Sequence, residues 1–279
     1  MARPPIAPTS GWVGVFVLRY SIFVLGSSVP SGWVGDLESR ISYLVSRWIG
    51  GFEFRFSNCR DYTSPMTTRK RLHQLIHSFP STSVLLLGDL VLDRFVLGTP
   101  KRISREAPLI ILRYEGQRDV PGGGANALAN LASLGVRVIP VGVVGNDEPG
   151  EALRAALQER GIDVDGILTV PGYRTPTKVR ILGGGSSSLK HQVARYDIED
   201  QLPQGGAWLG ELLRVLESKM GEANTVAISD YGYGTVAQEA VDRLLRTSGR
   251  PRWICADSRY RISSLKGIDG ATPNLQELE

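Results

Sequence analysis

From Val84 onward the chain alternates short aliphatic runs with segments patterned at helical spacing, and this alternation limits the fold more than any other feature. Residues 83–87 read as a buried strand, with a continuous aliphatic run over 84–87. A helix is expected over 125–134, with Leu128, Leu131 and Leu134 facing inward and Gly135 as its stop. A strand over 137–143 and a helix over 148–160, ending at Gly161, follow. Further on come a helix (208–220), a strand (225–229), a helix (236–245) and a strand (252–256), and Ala271-Thr272 opens one more unit. Strands alternating with helices imply an α/β fold: a parallel sheet with helices on both faces. Two stretches break the rhythm. Residues 94–118 and 175–196 read as alternating strands rich in Val, Ile, Leu and Arg, with Gly183, Gly184, Gly185 and the serines 186–188 as a hairpin tip. They are expected to leave the sheet together as a small β-lid; the alternative is two exposed loops with no shared role.

The 279 residues suffice for one sizeable α/β domain or two small ones, and 42% hydrophobic with 22% charged residues is a globular composition. The net charge of +4 is spread over scattered bases, mostly Arg. No Lys/Arg stripe with interleaved aromatics occurs, which weighs against nucleic acid as a partner. Two cysteines, Cys59 and Cys255, lie far apart without a partner motif. That argues against a disulfide framework or a metal cluster and makes a reducing cytoplasm the expected location.

Residues 1–65 differ from the rest: they hold three of the five tryptophans and no lysine. The apolar run 12–29 invites a membrane reading, but it is short, and Arg19 within it would cost about 2.5–3.5 kcal/mol at the centre of an inserted helix. The expectation is an N-terminal extension that is disordered or not native to the protein, with Met66 a candidate start. After Met66, Leu72, Leu75, Ile76 and Phe79 stand at helical spacing.

Two motifs carry chemistry. Gly88-Asp89-Leu90-Val91-Leu92-Asp93 ends a buried strand and delivers two carboxylates. Pro121-Gly122-Gly123-Gly124-Ala125-Asn126 is a glycine run that opens a helix. The order strand, carboxylates, glycine run, helix suits a pocket for a polyhydroxylated small molecule, because carboxylates orient hydroxyls and helix-start amides donate to them.

With these residues in order, the chain from about 83 to 279 resembles the ribokinase-like (PfkB-type) carbohydrate kinases, and within them the heptose 7-phosphate kinase type. Other matching pieces are Arg102-Ile103-Ser104-Arg105-Glu106-Ala107-Pro108, Val144-Gly145-Asn146-Asp147, Thr177-Lys178-Val179-Arg180, Ser229-Asp230-Tyr231 and Thr272-Pro273-Asn274-Leu275-Gln276-Glu277. The Ser-x-Glu-Ala-Pro segment and the short gap between Gly123 and Asn126 favour the heptose type.

The resemblance implies a ribokinase-like fold with a β-lid over 66–279 and roles for individual residues. Asp93 binds sugar hydroxyls. Asp89 either shares that task or caps a turn. Gly122 and Gly123 let the backbone approach the sugar, and Asn126 either bonds it or bonds its own backbone. Lys178 and Arg180, two apart on a lid strand, meet a substrate phosphate or are solvated lid charge. Arg102 and Arg105 are weaker candidates of the same kind. Asp230 contacts substrate or caps the next turn. Asn274 and Glu277 match the family's Asn-x-x-Glu motif, which organises Mg²⁺ through water, and Asp257 lines the nucleotide side. ATP and Mg²⁺ are the expected co-substrate and cofactor, a phosphosugar the expected substrate, and a homodimer through the lid the expected assembly. The family's catalytic base, the Asp of a Gly-Ala-Gly-Asp stretch, is absent from the 279 residues, and Gly232-Tyr233-Gly234-Thr235 lacks the carboxylate. The domain therefore reads as incomplete, with no catalytic residue assigned, and a coupled ADP-release assay is expected to find little or no turnover. The competing expectations are another PfkB-type sugar or nucleoside kinase, or a sugar-binding remnant without chemistry.

Overall fold

The computed structural model describes residues 73–74, 76–185, 190–247 and 253–274. The 1–65 extension with its apolar run, Met66, Leu72, Leu75, the serines 186–188, Arg252 and Glu277 lie outside the described residues. The strands, in chain order, are β1 (Ser83–Gly88), β2 (Leu90–Ile103), β3 (Ile110–Gly122), β4 (Arg137–Gly145), β5 (Ile167–Val170), β6 (Thr177–Gly183), β7 (His191–Ile198), β8 (Thr225–Asp230), β9 (Trp253–Ser258) and β10 (Gly270–Ala271). The helices between them are α1 (Gly123–Ser133), α2 (Glu148–Gln158), α3 (Ala207–Met220) and α4 (Gln238–Arg246).

Among the described residues the strands build two sheets. The larger has the order β10-β9-β8-β1-β4-β5, and every neighbouring pair is parallel. Its central strand β1 alternates between two cores. Leu85 and Leu87 pack with the helices α3 and α4, through Leu212, Leu216, Val241 and Leu244. Val84 and Leu86 pack on the other face with α1 and α2, through Leu128, Leu153 and Leu157. Each such fully buried aliphatic side chain contributes about 1.5–3 kcal/mol, and burial on both faces is why the strand reads as an unbroken apolar run. The expected parallel sheet with helices on both faces is what the chain forms.

The helix ends follow local chemistry. Gly135 stands just past α1 at φ +84° and Gly161 past α2 at φ +72°, the left-handed conformation that ends helices. Asp147 caps α2 by accepting from the Gly150 amide at 3.0 Å. Helix α1 starts two residues before the expected 125, inside the glycine run. Strand β5 was not anticipated; four residues are too short for a distinct apolar run.

The second sheet has the order β3-β2-β6-β7, antiparallel at its two flanks and parallel between β2 and β6. It joins the two stretches expected to form a lid, so they are not separate loops. Strand β2 begins at Leu90, one residue past β1, rather than at 94. Its first residues Leu90 and Leu92 are buried in the core beside α1, which roots the lid in the domain. Two polar latches fix the root. Arg94 makes a bidentate pair with its cross-strand partner Asp119 (2.8 and 2.7 Å) and reaches Glu148 at the start of α2 (2.7 Å). Asp147 also accepts from the Thr175 amide at 2.8 Å and hydroxyl at 2.6 Å, just ahead of β6.

Candidate functional site

The parallel sheet grows from β1 outward to β4 and β5, then resumes on the other side of β1 with β8, β9 and β10. The carboxyl ends of β1 and β8 thus flank a topological switch point, where open α/β sheets bind ligands. Asp89, Asp230 and Asp257 all stand at this edge, at the ends of β1, β8 and β9.

Asp89 is 1% exposed and takes three backbone donors from one turn: Tyr231 at 2.7 Å, Tyr233 at 3.1 Å and Thr235 at 3.0 Å. Of its two readings, geometry favours the turn. The carboxylate is used on both oxygens to fold the Gly232-Tyr233-Gly234-Thr235 loop, whose two glycines adopt φ of +84° and +102°. Burial pushes the Asp89 carboxyl up and the adjacent Asp230 adds to this, while the amide donors pull it down. Asp230 is equally committed. It accepts from the Ser258 hydroxyl and the Arg261 guanidinium, each at 2.9 Å, and from the Gly232 amide at 3.1 Å. Both carboxylates therefore shape the edge as turn and loop supports instead of presenting free acceptors to a ligand.

Asp93 is placed differently. It lies three residues into β2, where the strand emerges from the core, in register with Val120 on one side and Lys178 on the other. Its carboxylate is 22% exposed and pairs with Arg180 at 2.6 Å. The start of α1 abuts it: a Cβ on Gly122 would stand 2.8 Å from Asp93 Oδ2. Gly123 adopts φ +54°, and a Cβ there would meet Val91 at 2.7 Å. The expected reason for these glycines was close approach to a sugar; packing against Asp93 and Val91 already demands them. Asn126 sits half-buried in the first turn of the same helix. Asp93, Arg180, the Gly122 backbone and this helix start thus come together at the lid root.

Lys178 and Arg180 share a face of β6, as expected, but they have different partners. Arg180 turns to Asp93 and lies 5.4 Å over the Phe95 ring. Lys178 is 10% exposed and stands 3.9 Å from Asp197, its register partner on β7. Neither is solvated lid charge. Asp197 is gripped by Arg195 at 2.7 and 2.5 Å, which holds its carboxyl below the usual carboxylate range. Desolvation lowers the Lys178 ammonium, and Arg259 and Arg195 nearby add to that. Tyr233 donates to Glu199 at 2.9 Å, joining the Asp89-held turn to the end of β7. Arg102 and Arg105 are not brought here. They are exposed on the distal lid, Arg102 roughly 30 Å along β2 from Asp93 at the usual strand rise.

Arg195, Asp197, Arg259 and Tyr233 escaped sequence reasoning. The alternation along 175–196 was visible, but the hairpin register that sets Asp197 against Lys178 is a property of the folded sheet.

Of the residues expected to face the nucleotide, Asp257 is 4% exposed within β9, and Asn274 is exposed just past β10. Among the described residues no group of three or more His, Cys, Asp or Glu stands close enough to hold a metal ion. Glu277, on which the expectation for the ion falls, lies outside the described residues.

A family profile described as pfkB family carbohydrate kinase matches residues 82–242. The bifunctional protein HldE of Mesorhizobium japonicum is 36% identical over 211 residues, covering 74% of this chain and 41% of that protein. HldE of Gluconacetobacter diazotrophicus is 37% identical over 203 residues, covering 72% and 41%. The chain thus spans about two-fifths of the length of these curated relatives. Among solved structures, Escherichia coli phosphofructokinase-2 in complex with fructose-6-phosphate superposes with a TM-score of 0.52 at 18% identity, covering 71% of this chain and 62% of that one. That likeness is one of fold.

Proposed function

The chain belongs to the pfkB family of carbohydrate kinases, and on that premise we propose that it carries the sugar-binding half of a heptose 7-phosphate kinase. In this reading ATP donates its γ-phosphoryl group to the anomeric hydroxyl of D-glycero-D-manno-heptose 7-phosphate. Asp93 accepts hydrogen bonds from sugar hydroxyls, and the Gly122–Gly123 backbone and Asn126 line the same pocket. Arg180 holds the Asp93 carboxylate in place. Asn274, Glu277 and Asp257 face ATP, with Mg²⁺ held through water at Glu277; when bound, the ion would neutralise charge on the phosphates.

The observation that carries the reading is Asp93 itself. It is a partly exposed carboxylate at the lid root, locked by Arg180 at 2.6 Å and pressed against the start of α1. Such a group orients a polyol through two charge-assisted hydrogen bonds. The HldE relatives support the heptose as the sugar. Calorimetric titration with heptose 7-phosphate, fructose 6-phosphate, ribose and adenosine tests it. Heptose 7-phosphate is expected to bind at least about tenfold more tightly than the others. Preference for ribose or adenosine would assign another member of the family, and binding of none would remove the sugar site altogether.

The reading includes a homodimer through the lid and a cytoplasmic location. In support of the dimer, Ile103, Leu109, Ile110, Tyr114, Val193 and Tyr196 are exposed on the lid strands and the turn between them. Among the described residues no helix is long and apolar enough to cross a membrane. Sedimentation should show a dimer that Ile110→Glu with Tyr114→Glu converts to monomer; a monomeric wild-type protein would refute the assembly.

A further inference from the structure

The lid changes character part-way along its length. Its four strands run side by side only as far as Gly98 on β2, where β6 ends at Gly183, the register partner of Gly98, and β7 has just begun at His191. Beyond that level β2 and β3 continue as a two-stranded arm, residues 99–103 against 110–114, about 17 Å long at the usual strand rise. Pro100, Lys101, Arg102, Ile103 and Ile110 are exposed along it. A two-stranded hairpin is marginal by itself, so the direction of the arm is set where it leaves the four-stranded root.

Two bulges mark that junction. Strand β3 carries an extra residue, Glu115, where the register passes from Leu97–Gly116 to Gly98–Tyr114. Strand β7 carries an extra residue, Val193, where it passes from Ile181–Ala194 to Leu182–Gln192. Leu97 pairs with Leu182 across the centre of the lid, so the bulges flank one level from the two outer strands. A bulge bends its strand and sharpens the local twist. The two central strands carry glycines there, and neighbours fill the space their side chains would take. A Cβ on Gly98 would stand 2.9 Å from Leu112 Cβ, and one on Gly183 would stand 2.8 Å from Val193 Cγ2 and 3.1 Å from Leu112 Cδ2. One polar cluster braces the bend. Glu115 accepts from Lys190 Nζ at 2.7 Å and from the Thr99 hydroxyl, and Lys190 also reaches the Gly98 carbonyl at 3.4 Å.

We propose that the lid is articulated at this level: the arm swings as a unit about Gly98 and Gly183, and Lys190, through Glu115 and the Gly98 carbonyl, is the latch that holds its angle. Asp93 precedes Gly98 by five residues on an unbulged stretch of β2, so the two stand on opposite faces, and Asp93 belongs to the root. Its partner Arg180 lies in the root as well. By register, Ile103, Ile110 and Tyr114 share the face of Gly98. The exposed apolar side chains of the arm are thereby re-aimed at a second copy of the chain while the Asp93–Arg180 pair stays in place. The device works the same way whichever sugar the protein binds.

Double electron–electron resonance between nitroxide labels tests it, in a Cys59→Ser, Cys255→Ser background and with labelled protein diluted into unlabelled protein so that only intramolecular distances are read. Labels at Arg105→Cys and Gln158→Cys span from the turn of the arm to the end of α2, and labels at Gln117→Cys and Gln158→Cys span from the root to the same point; all three positions are exposed. Lys190→Met should broaden the arm-to-α2 distance distribution about twofold and leave the root-to-α2 distribution unchanged. Lys190→Arg, which keeps the charge and the donors, should restore the narrow distribution. Thr99→Val, which leaves the ion pair in place, should broaden it less than Lys190→Met does. An arm distribution that Lys190→Met does not widen, or a root distribution that widens with it, overturns the articulation.

Discussion

Asp89→Ala is expected to destabilise the fold by about 3–5 kcal/mol, the largest effect of any single replacement at this sheet edge. The side chain is 1% exposed and satisfies three amides within one turn, at 2.7, 3.1 and 3.0 Å. Removing it leaves these donors without an acceptor in a region too enclosed for easy hydration. Each such orphan costs about 1–3 kcal/mol, and partial relaxation of the turn keeps the total below the sum. The damage should spread. The turn carries Tyr233, whose hydroxyl reaches Glu199 beyond β7, and Tyr231, which supports Arg259. Asp89→Asn should cost less, because its carbonyl oxygen still accepts while its amino group opposes the remaining donors. Urea denaturation followed by circular dichroism measures both. A loss under about 1 kcal/mol for the alanine variant would show that Asp89 does not hold the turn.

Asp93→Asn is expected to lower sugar affinity by roughly 100-fold while leaving the fold largely intact. Two charge-assisted hydrogen bonds to hydroxyls are each worth about 1.5–3 kcal/mol, and the amide keeps the shape but only one acceptor. Arg180 loses its 2.6 Å partner, yet it stays 19% exposed and packed over Phe95, so the structural cost is modest. Calorimetry gives the affinity, and a thermal melt within a few degrees of wild type establishes that the protein is folded. Unchanged sugar binding would remove Asp93 from the site and with it the main support for the proposed function. The two carboxylates thus separate cleanly: loss at Asp89 is read in stability, and loss at Asp93 in binding.

That separation was not legible in the sequence, where both aspartates belong to one motif four residues apart. Their fates diverge because Asp89 falls in the single-residue step between β1 and β2, facing the β8 turn, whereas Asp93 lies on β2 after it has left the core. Asp230 shows the same limit. Its sequence position at the end of a strand suits a ligand contact as well as a cap, and only the approach of Ser258 and Arg261 from β9 and its following loop uses it up.

The elements themselves were far more legible. Glycines past α1 and α2 took the left-handed conformations expected of helix stops, and the unbroken aliphatic run of β1 announced a strand buried on both faces. The lid was visible as two alternating stretches, but its order β3-β2-β6-β7 was not, since pairing partners 85 residues apart, such as Leu92 and Thr177, leave no local trace. Periodicity, helix stops and motif order are local properties, written in neighbouring residues, and they sufficed for the α/β class, the lid and the family resemblance. Which acidic groups remain for a ligand, and which bases gather into one cluster, depends on long-range register and desolvation. The tertiary structure alone decided that Asp89 and Asp230 are consumed by backbone and Arg261, that Asp93 keeps an exposed edge, and that Lys178 is buried beside a carboxylate already taken by Arg195.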